Sequence, residues 1–282
     1  MNRVELSTGV IEYSDSGGPG PVVVLVPGLA MNGSVWRKVV ADLGGSYRCV
    51  VPTLPLGGHR EPMRPDADLS PRSIGLLVAE LLDALDLHDV TLVGNDSGLF
   101  LFAAAERPER IGRLVITPCE AFENFPPGLP GKNLWYAAKL PGGVWVLVGI
   151  LRLRPLRRLP MAFGWMSRRP VPREVLDGWL APLLGKRAVR RDLVKYLRAA
   201  KRKDLLPAME GLRGFPRPAL AVWAEQDKIM PPEHARRFAE LLPNARVVMV
   251  ADSYTLIPED QPTELAAHIR DFVNAASEPT PA

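Results

Sequence analysis

Five successive positions, Val22-Val23-Val24-Leu25-Val26, carry only branched apolar side chains. A run with no polar face fits a strand buried on both sides, as in a parallel sheet. Less pure versions recur over residues 47–51, 90–93, 114–117, 219–223 and 246–250. Between these runs the period changes. Over 70–87 the apolar residues fall at Ile74, Leu77, Val78, Leu81, Leu82 and Leu85, the spacing of one helix face. Ser70-Pro71 opens that stretch as an N-cap and first-turn pair. Further helices are expected over 32–43, 97–106, 232–242 and 262–276. Two short strands, 4–7 and 10–14, precede the Gly/Pro cluster at 17–21. Strand–helix alternation of this kind predicts an α/β fold with a mostly parallel sheet covered on both faces.

The alternation lapses over 119–205, where Pro-rich corners separate helical patches at 173–184 and 189–201. An insertion there, after the fourth of the buried strands, is expected to sit as a helical cap over the carboxyl ends of the strands, where ligands bind in such sheets. The expected organisation is a main domain over 1–120 and 206–276, a cap over 121–205 and a frayed tail over 277–282.

Composition sharpens the picture of the cap. The net charge of +4 hides two opposite segments. Residues 132–203 hold 18 Lys/Arg against 3 Asp/Glu, a balance of +15; the remainder holds 17 against 28, a balance of −11. The same segment carries four of the six tryptophans, Trp135, Trp145, Trp165 and Trp179. Three partners for this charge stay open: an anionic membrane surface, an anionic ligand steered to the cleft, or the acidic main domain itself. No nucleic acid is expected, because no recognition fold accompanies the charge. The abundance of Ala, Arg, Pro and Gly also suits a GC-rich bacterial genome.

At 47% apolar and 23% charged residues, the chain is neither disordered nor collagen-like. Two cysteines, Cys49 and Cys119, are too few for a disulfide framework or a four-thiolate zinc site. No metal and no cofactor are expected. The first ten residues lack an apolar signal core, and the longest apolar stretch, 144–151, is too short to span a bilayer. The expected setting is a reducing cytoplasm.

One pentapeptide carries chemistry: Gly94-Asn95-Asp96-Ser97-Gly98, between a strand and a helix. Small residues two before and two after a central residue let the helix pack against the strand and lift that side chain to the sheet top. The central residue is Asp96; Ser97 is one position too late. The bland alternative is a strand–helix turn with an N-cap aspartate.

With these residues the chain resembles the α/β-hydrolase superfamily, over essentially its whole length. Pro27-Gly28-Leu29 follows the first buried strand, where that family draws an oxyanion N–H. The resemblance assigns this N–H to Leu29 and a second one to Ser97. Trp223-Ala224-Glu225-Gln226-Asp227 resembles the family's strand-end acid motif and makes Asp227 the candidate acid. Glu120 is the second choice, at the acid position of one subgroup. Ile257-Pro258-Glu259-Asp260-Gln261-Pro262 leads into the last helix as in the family. Counting back from Pro262 puts the family's histidine at Thr255, or at Tyr254 with a one-residue slip. An Asp at the elbow is similar to haloalkane dehalogenases and epoxide hydrolases. There a carboxylate attacks an sp³ carbon and a His-activated water releases the ester. Those dehalogenases carry Trp where this chain has Ser97. Epoxide hydrolases draw acidic hydroxyls from cap tyrosines, for which Tyr136 and Tyr196 are available.

Four histidines remain to be placed: His59, His88, His234 and His268. A surface or packing role is expected for each; His59, after the second buried strand, is the best candidate for a relocated base. Three functions follow for a small, largely apolar substrate. One is hydrolysis through Asp96. Another is a lyase, isomerase or cyclase with Asp96 as acid/base. The third is a binding protein that has lost its chemistry.

Overall fold

The computed structural model describes residues 1–275. The expected helix end at 276 and the tail 277–282 lie outside them. Eight strands form one sheet: β1 (Asn2–Leu6), β2 (Gly9–Asp15), β3 (Val22–Val26), β4 (Arg48–Thr53), β5 (Val90–Asp96), β6 (Ile111–Cys119), β7 (Ala219–Ala224) and β8 (Ala245–Val250). Their order is β1-β2-β4-β3-β5-β6-β7-β8. β1 and β2 pair antiparallel, as do β2 and β4; the remaining pairs are parallel. This is the α/β-hydrolase fold. β5 is buried from end to end, as its largely apolar start, Val90-Thr91-Leu92-Val93, leads one to expect.

Each expected helix forms, two of them with a tightened entrance. Residues 33–36 and 98–100 are single 3₁₀ turns before α1 (Arg37–Leu43) and α3 (Leu101–Glu106). α2 (Pro71–Ala84) starts as expected: the Ser70 side chain accepts the Ser73 N–H at 3.3 Å, and Pro71 occupies the first turn.

The cap leaves the sheet after β6 and returns before β7, two neighbouring strands. It comprises α4 (Gly128–Lys139), α5 (Gly143–Ile150), α6 (Arg173–Gly185) and α7 (Arg187–Ala199). α8 (Leu206–Leu212), which the residue pattern did not announce, packs on α3. Several ties hold the cap down, two of them at Trp179 and Asp260. Trp179 of α6, fully buried, donates from Nε1 to Ser34 Oγ at 2.8 Å. The Asp260 carboxylate accepts from Ser167 Oγ and from the backbone N–H of Arg168 and Arg169, at 2.8–2.9 Å. The expected charge pairing between cap and main domain is confined to a few places, such as Arg168 and Arg169 against Asp252.

Candidate active site

β5 ends on Asp96, whose φ of 68° lies in the left-handed region that side chains other than glycine avoid. The flanking glycines make this turn possible. A Cβ on Gly98 would stand 1.9 Å from the Glu120 carbonyl oxygen, and one on Gly94 would enter the Phe100 ring. The turn is also tied from behind. Asn95 Nδ2 reaches Thr117 Oγ1 at 2.9 Å, the Pro118 carbonyl at 3.1 Å and the Thr255 carbonyl at 2.8 Å. Asn95 was an unremarked position of the motif. No local signal marks it, because its partners lie 22–160 residues away.

The Asp96 carboxylate accepts the Leu29 N–H on Oδ2 at 2.8 Å. The backbone at Gly28 makes this approach: a Cβ there would sit 2.2 Å from the same oxygen. The Ser97 N–H, in contrast, donates to the Asn95 carbonyl at 2.8 Å, and Ser97 Oγ is buried with no partner. Burial pushes the Asp96 carboxyl up to about 7; the Leu29 N–H pulls the other way and the charge of Asp227 adds to the rise.

Asp227 stands at the end of β7. Its Oδ1 accepts the Ile229 and Met230 N–H groups at 2.8 Å each and the Thr255 hydroxyl at 2.9 Å. Its Oδ2 is shut from solvent and has no hydrogen-bond partner. Burial raises this carboxyl to about 7 against those three donors. Thr255 therefore occupies the place beside Asp227 where the resemblance expects an imidazole. Tyr254 turns away: its N–H donates to Asp260 at 3.1 Å and its ring lies 4.7 Å from the Lys228 ammonium.

A cavity of about 90 Å³ lies between the strand ends and the cap. The main domain lines it with Leu29, Asp96 and Glu120; the cap adds only apolar groups such as Leu134, Leu147, Val148 and Met166. Glu120 is buried, and no hydrogen bond reaches its carboxylate among the described residues. Burial pushes it well above the ordinary carboxylate range, and the Asp96 charge adds to this. Asp227, Thr255 and Tyr254 are not among the lining residues.

No histidine lines the cavity among the described residues. His59 is buried away from it. Its Nδ1 accepts the Gly57 N–H at 3.2 Å, which leaves Nε2 to donate to Asp192 of α7 at 3.3 Å. It is a tie between main domain and cap, the packing role expected for it, and not the alternative of a relocated base. His234 packs edge-on against Phe122 and Trp223, and burial lowers it to about 4. His88 pairs with Asp86 in an exposed loop, and His268 lies 3.7 Å from Glu264. The cap aromatics are also displaced from expectation. None of its four tryptophans lines the cavity, Tyr136 is exposed, and Tyr196 is buried outside the lining.

Residues 23–268 match the sequence profile of the "Alpha/beta hydrolase family". Uncharacterized hydrolase YugF of Bacillus subtilis is 25% identical over 272 residues, covering 93% of this chain and 94% of that one. A cis-3-alkyl-4-alkyloxetan-2-one decarboxylase of Xanthomonas campestris is 28% identical over 294 residues, covering 96% and 95%. A haloalkane dehalogenase of Mesorhizobium japonicum is 29% identical over 147 residues, half of this chain and 47% of that protein. Among solved structures, an α/β-hydrolase-fold protein from Burkholderia ambifaria superposes with a TM-score of 0.77 at 23% identity, covering 96% and 97%. The epoxide hydrolase CorEH gives 0.79 at 15% identity, covering 97% and 98%.

Proposed function

The chain belongs to the alpha/beta hydrolase family, and from that premise we propose an enzyme that acts on a small apolar electrophile through Asp96 and finishes its reaction without a His-activated water. One observation carries this reading. The hydroxyl of Thr255, not an imidazole, occupies the Asp227 carboxylate, while Asp96 keeps its N–H donor and its place on the cavity. A threonine hydroxyl takes no proton from water near neutral pH. An ester formed on Asp96 would persist unless the substrate carried its own way off.

A strained four-membered lactone carries one, and the decarboxylase similarity in the curated relatives supports that substrate class. An Asp96 oxygen attacks the sp³ ring carbon bonded to the ring oxygen. That carbon–oxygen bond breaks and its electron pair stays on the freed carboxylate. Carbon dioxide then leaves; the electrons of its carbon–carbon bond form the alkene as the bond to Asp96 breaks and restores the aspartate. No water, oxidant or cofactor enters. With a pKa of about 7, Asp96 is substantially ionised at neutral pH, as attack requires. Glu120, which burial pushes well above the ordinary carboxylate range, lines the same cavity, and in this reading its protonated form donates a hydrogen bond to the lactone carbonyl. The cavity is smaller than the roughly 150 Å³ that holds benzene elsewhere, so the shortest dialkyl member is the probe of choice.

The test is turnover of cis-3,4-dimethyloxetan-2-one in ¹⁸O-water. The expected products are carbon dioxide and but-2-ene in equal amounts with no labelled hydroxy acid, and neither forms with Asp96→Asn. A labelled hydroxy acid instead would return the chain to hydrolysis. In parallel, a chloroalkane should leave a stable mass adduct on the wild type and none on Asp96→Asn. Tight ligand binding that survives Asp96→Ala, with no adduct and no turnover, would make this a binding protein.

A further inference from the structure

Eleven large apolar side chains are exposed among the described residues, and nine of them lie between 129 and 161, in the first part of the cap. Chance scatter over the surface would need no explanation; this concentration does. α5 is the clearest case. Val144 and Val148 are buried inward, and Leu147, Val148 and Leu151 line the cavity. The opposite stripe, Trp145, Val146, Ile150 and, one turn on, Leu153, is 45–61% exposed. A helix apolar on both faces, with one left at the surface, has an unmet partner.

The surrounding charge says which. Residues 124–173 contain nine Lys/Arg and no Asp or Glu. Lys132, Arg152, Arg154 and Arg158 are exposed, and their side chains make no hydrogen bond or ion pair among the described residues. Lys139 lies 3.2 Å above the Trp135 ring, an amphipathic pair suited to a headgroup layer. We propose that this face of the cap docks on an anionic lipid surface. Trp145, Val146, Ile150 and Leu153 enter the headgroup–acyl boundary, and Lys132, Arg152, Arg154 and Arg158 meet the headgroups. A second copy of the chain fits less well, since two such faces would bring like charges together. A free anionic ligand fits less well still, because the stripe is apolar and the cavity behind it holds two carboxyls. The docking is peripheral: α5 is eight residues, about 12 Å, against about 30 Å of hydrocarbon. No helix among the described residues is long and apolar enough to cross a membrane. The inference is independent of the chemistry assigned to Asp96.

The experiment is co-sedimentation of the full chain with vesicles of phosphatidylcholine alone or mixed equally with phosphatidylglycerol. Binding to the mixed vesicles only is expected. The variants Trp145→Ser/Ile150→Ser and Arg152→Gln/Arg154→Gln should each bind roughly tenfold or more weakly, with unchanged unfolding temperature. Trp145→Phe supplies a second readout that does not depend on the double variants folding. The emission it removes from the wild type should be quenched by brominated lipid. Four results would overturn the proposal: no sedimentation with either vesicle; equal binding to uncharged vesicles; wild-type binding by the Trp145→Ser/Ile150→Ser variant; or self-association abolished by that variant without vesicle binding.

Discussion

The two walls of the cavity differ in kind. The strand ends contribute the Leu29 N–H, Asp96 and Glu120, and the close packing at Gly28, Gly94 and Gly98 fixes the turn that carries Asp96. The cap contributes apolar side chains to the inside and a basic, apolar surface to the outside. The polar chemistry is thus built where backbone geometry is over-determined. Shape and access are built where the chain is attached through a few clamps: Trp179, Asp260, and His59 with Asp192. Thr255 and Asp227 stand behind the first wall, outside the cavity lining, where the Thr255 hydroxyl holds the Asp227 carboxylate.

The sharpest way to break this contrast is at Asp96. Asp96→Asn removes the carboxylate oxygen that the proposed reaction uses for attack and should lower kcat by roughly three orders of magnitude or more, read as product formation and as the missing chloroalkane adduct. The same variant should be more stable than wild type at alkaline pH. From about pH 4 to 7 the unfolded chain has released the Asp96 proton while the folded one still holds it. Wild-type stability therefore falls as pH rises through that window and levels off above it. Denaturant titration should show a gain for Asp96→Asn of up to about 4 kcal/mol at pH 8 that vanishes near pH 4. Asp227, with a similar rise, leaves its own slope in both proteins.

Next is the elbow's packing. Gly98→Ala drives a methyl into the Glu120 carbonyl and should cost about 1–3 kcal/mol or more, seen as a fall in Tm of several degrees. Thr255→His asks whether the missing base is all that separates this site from hydrolysis. The new imidazole should take the place of the hydroxyl on Asp227 and turn the persistent chloroalkane adduct into slow release of alcohol. An overpacking penalty of about 1–3 kcal/mol accompanies it. If the adduct persists, the surroundings of Thr255 have also been rebuilt. The smallest effect is expected at the cap clamp. Asp252→Ala removes the exposed pairs to Arg168 and Arg169 and should change stability by less than about 1 kcal/mol.

Much of this site was legible in the residues, for definite reasons. The run 22–26 and the periodicity over 70–87 report burial directly, and both elements form where that pattern puts them. Gly94 and Gly98 are legible because only small residues permit the close approach seen in the turn. The resemblance to the α/β-hydrolase superfamily also brought Asp96, Leu29, Asp227 and Thr255 into one account, and the structure brings Leu29 to Asp96 and Thr255 to Asp227. Other features were not legible. The partner of the Ser97 N–H depends on how the turn closes, and it is the Asn95 carbonyl. The place of His59 depends on where α7 crosses the main domain. The placement of the cap tryptophans was not legible either; three of them are at least partly exposed and Trp179 anchors the cap to Ser34.

The sequence by itself determined the strand and helix alternation, the elbow, the absence of histidine before the last helix and the opposed charges of cap and main domain. These are local or additive properties, readable from neighbours and counts. Only the tertiary structure decided that Thr255 holds Asp227, that Glu120 shares the cavity with Asp96, and that α5 is apolar toward both cavity and solvent. Each of those depends on the relative placement of segments tens to more than a hundred residues apart. Packing and burial across the whole chain set that placement, and no local pattern encodes it.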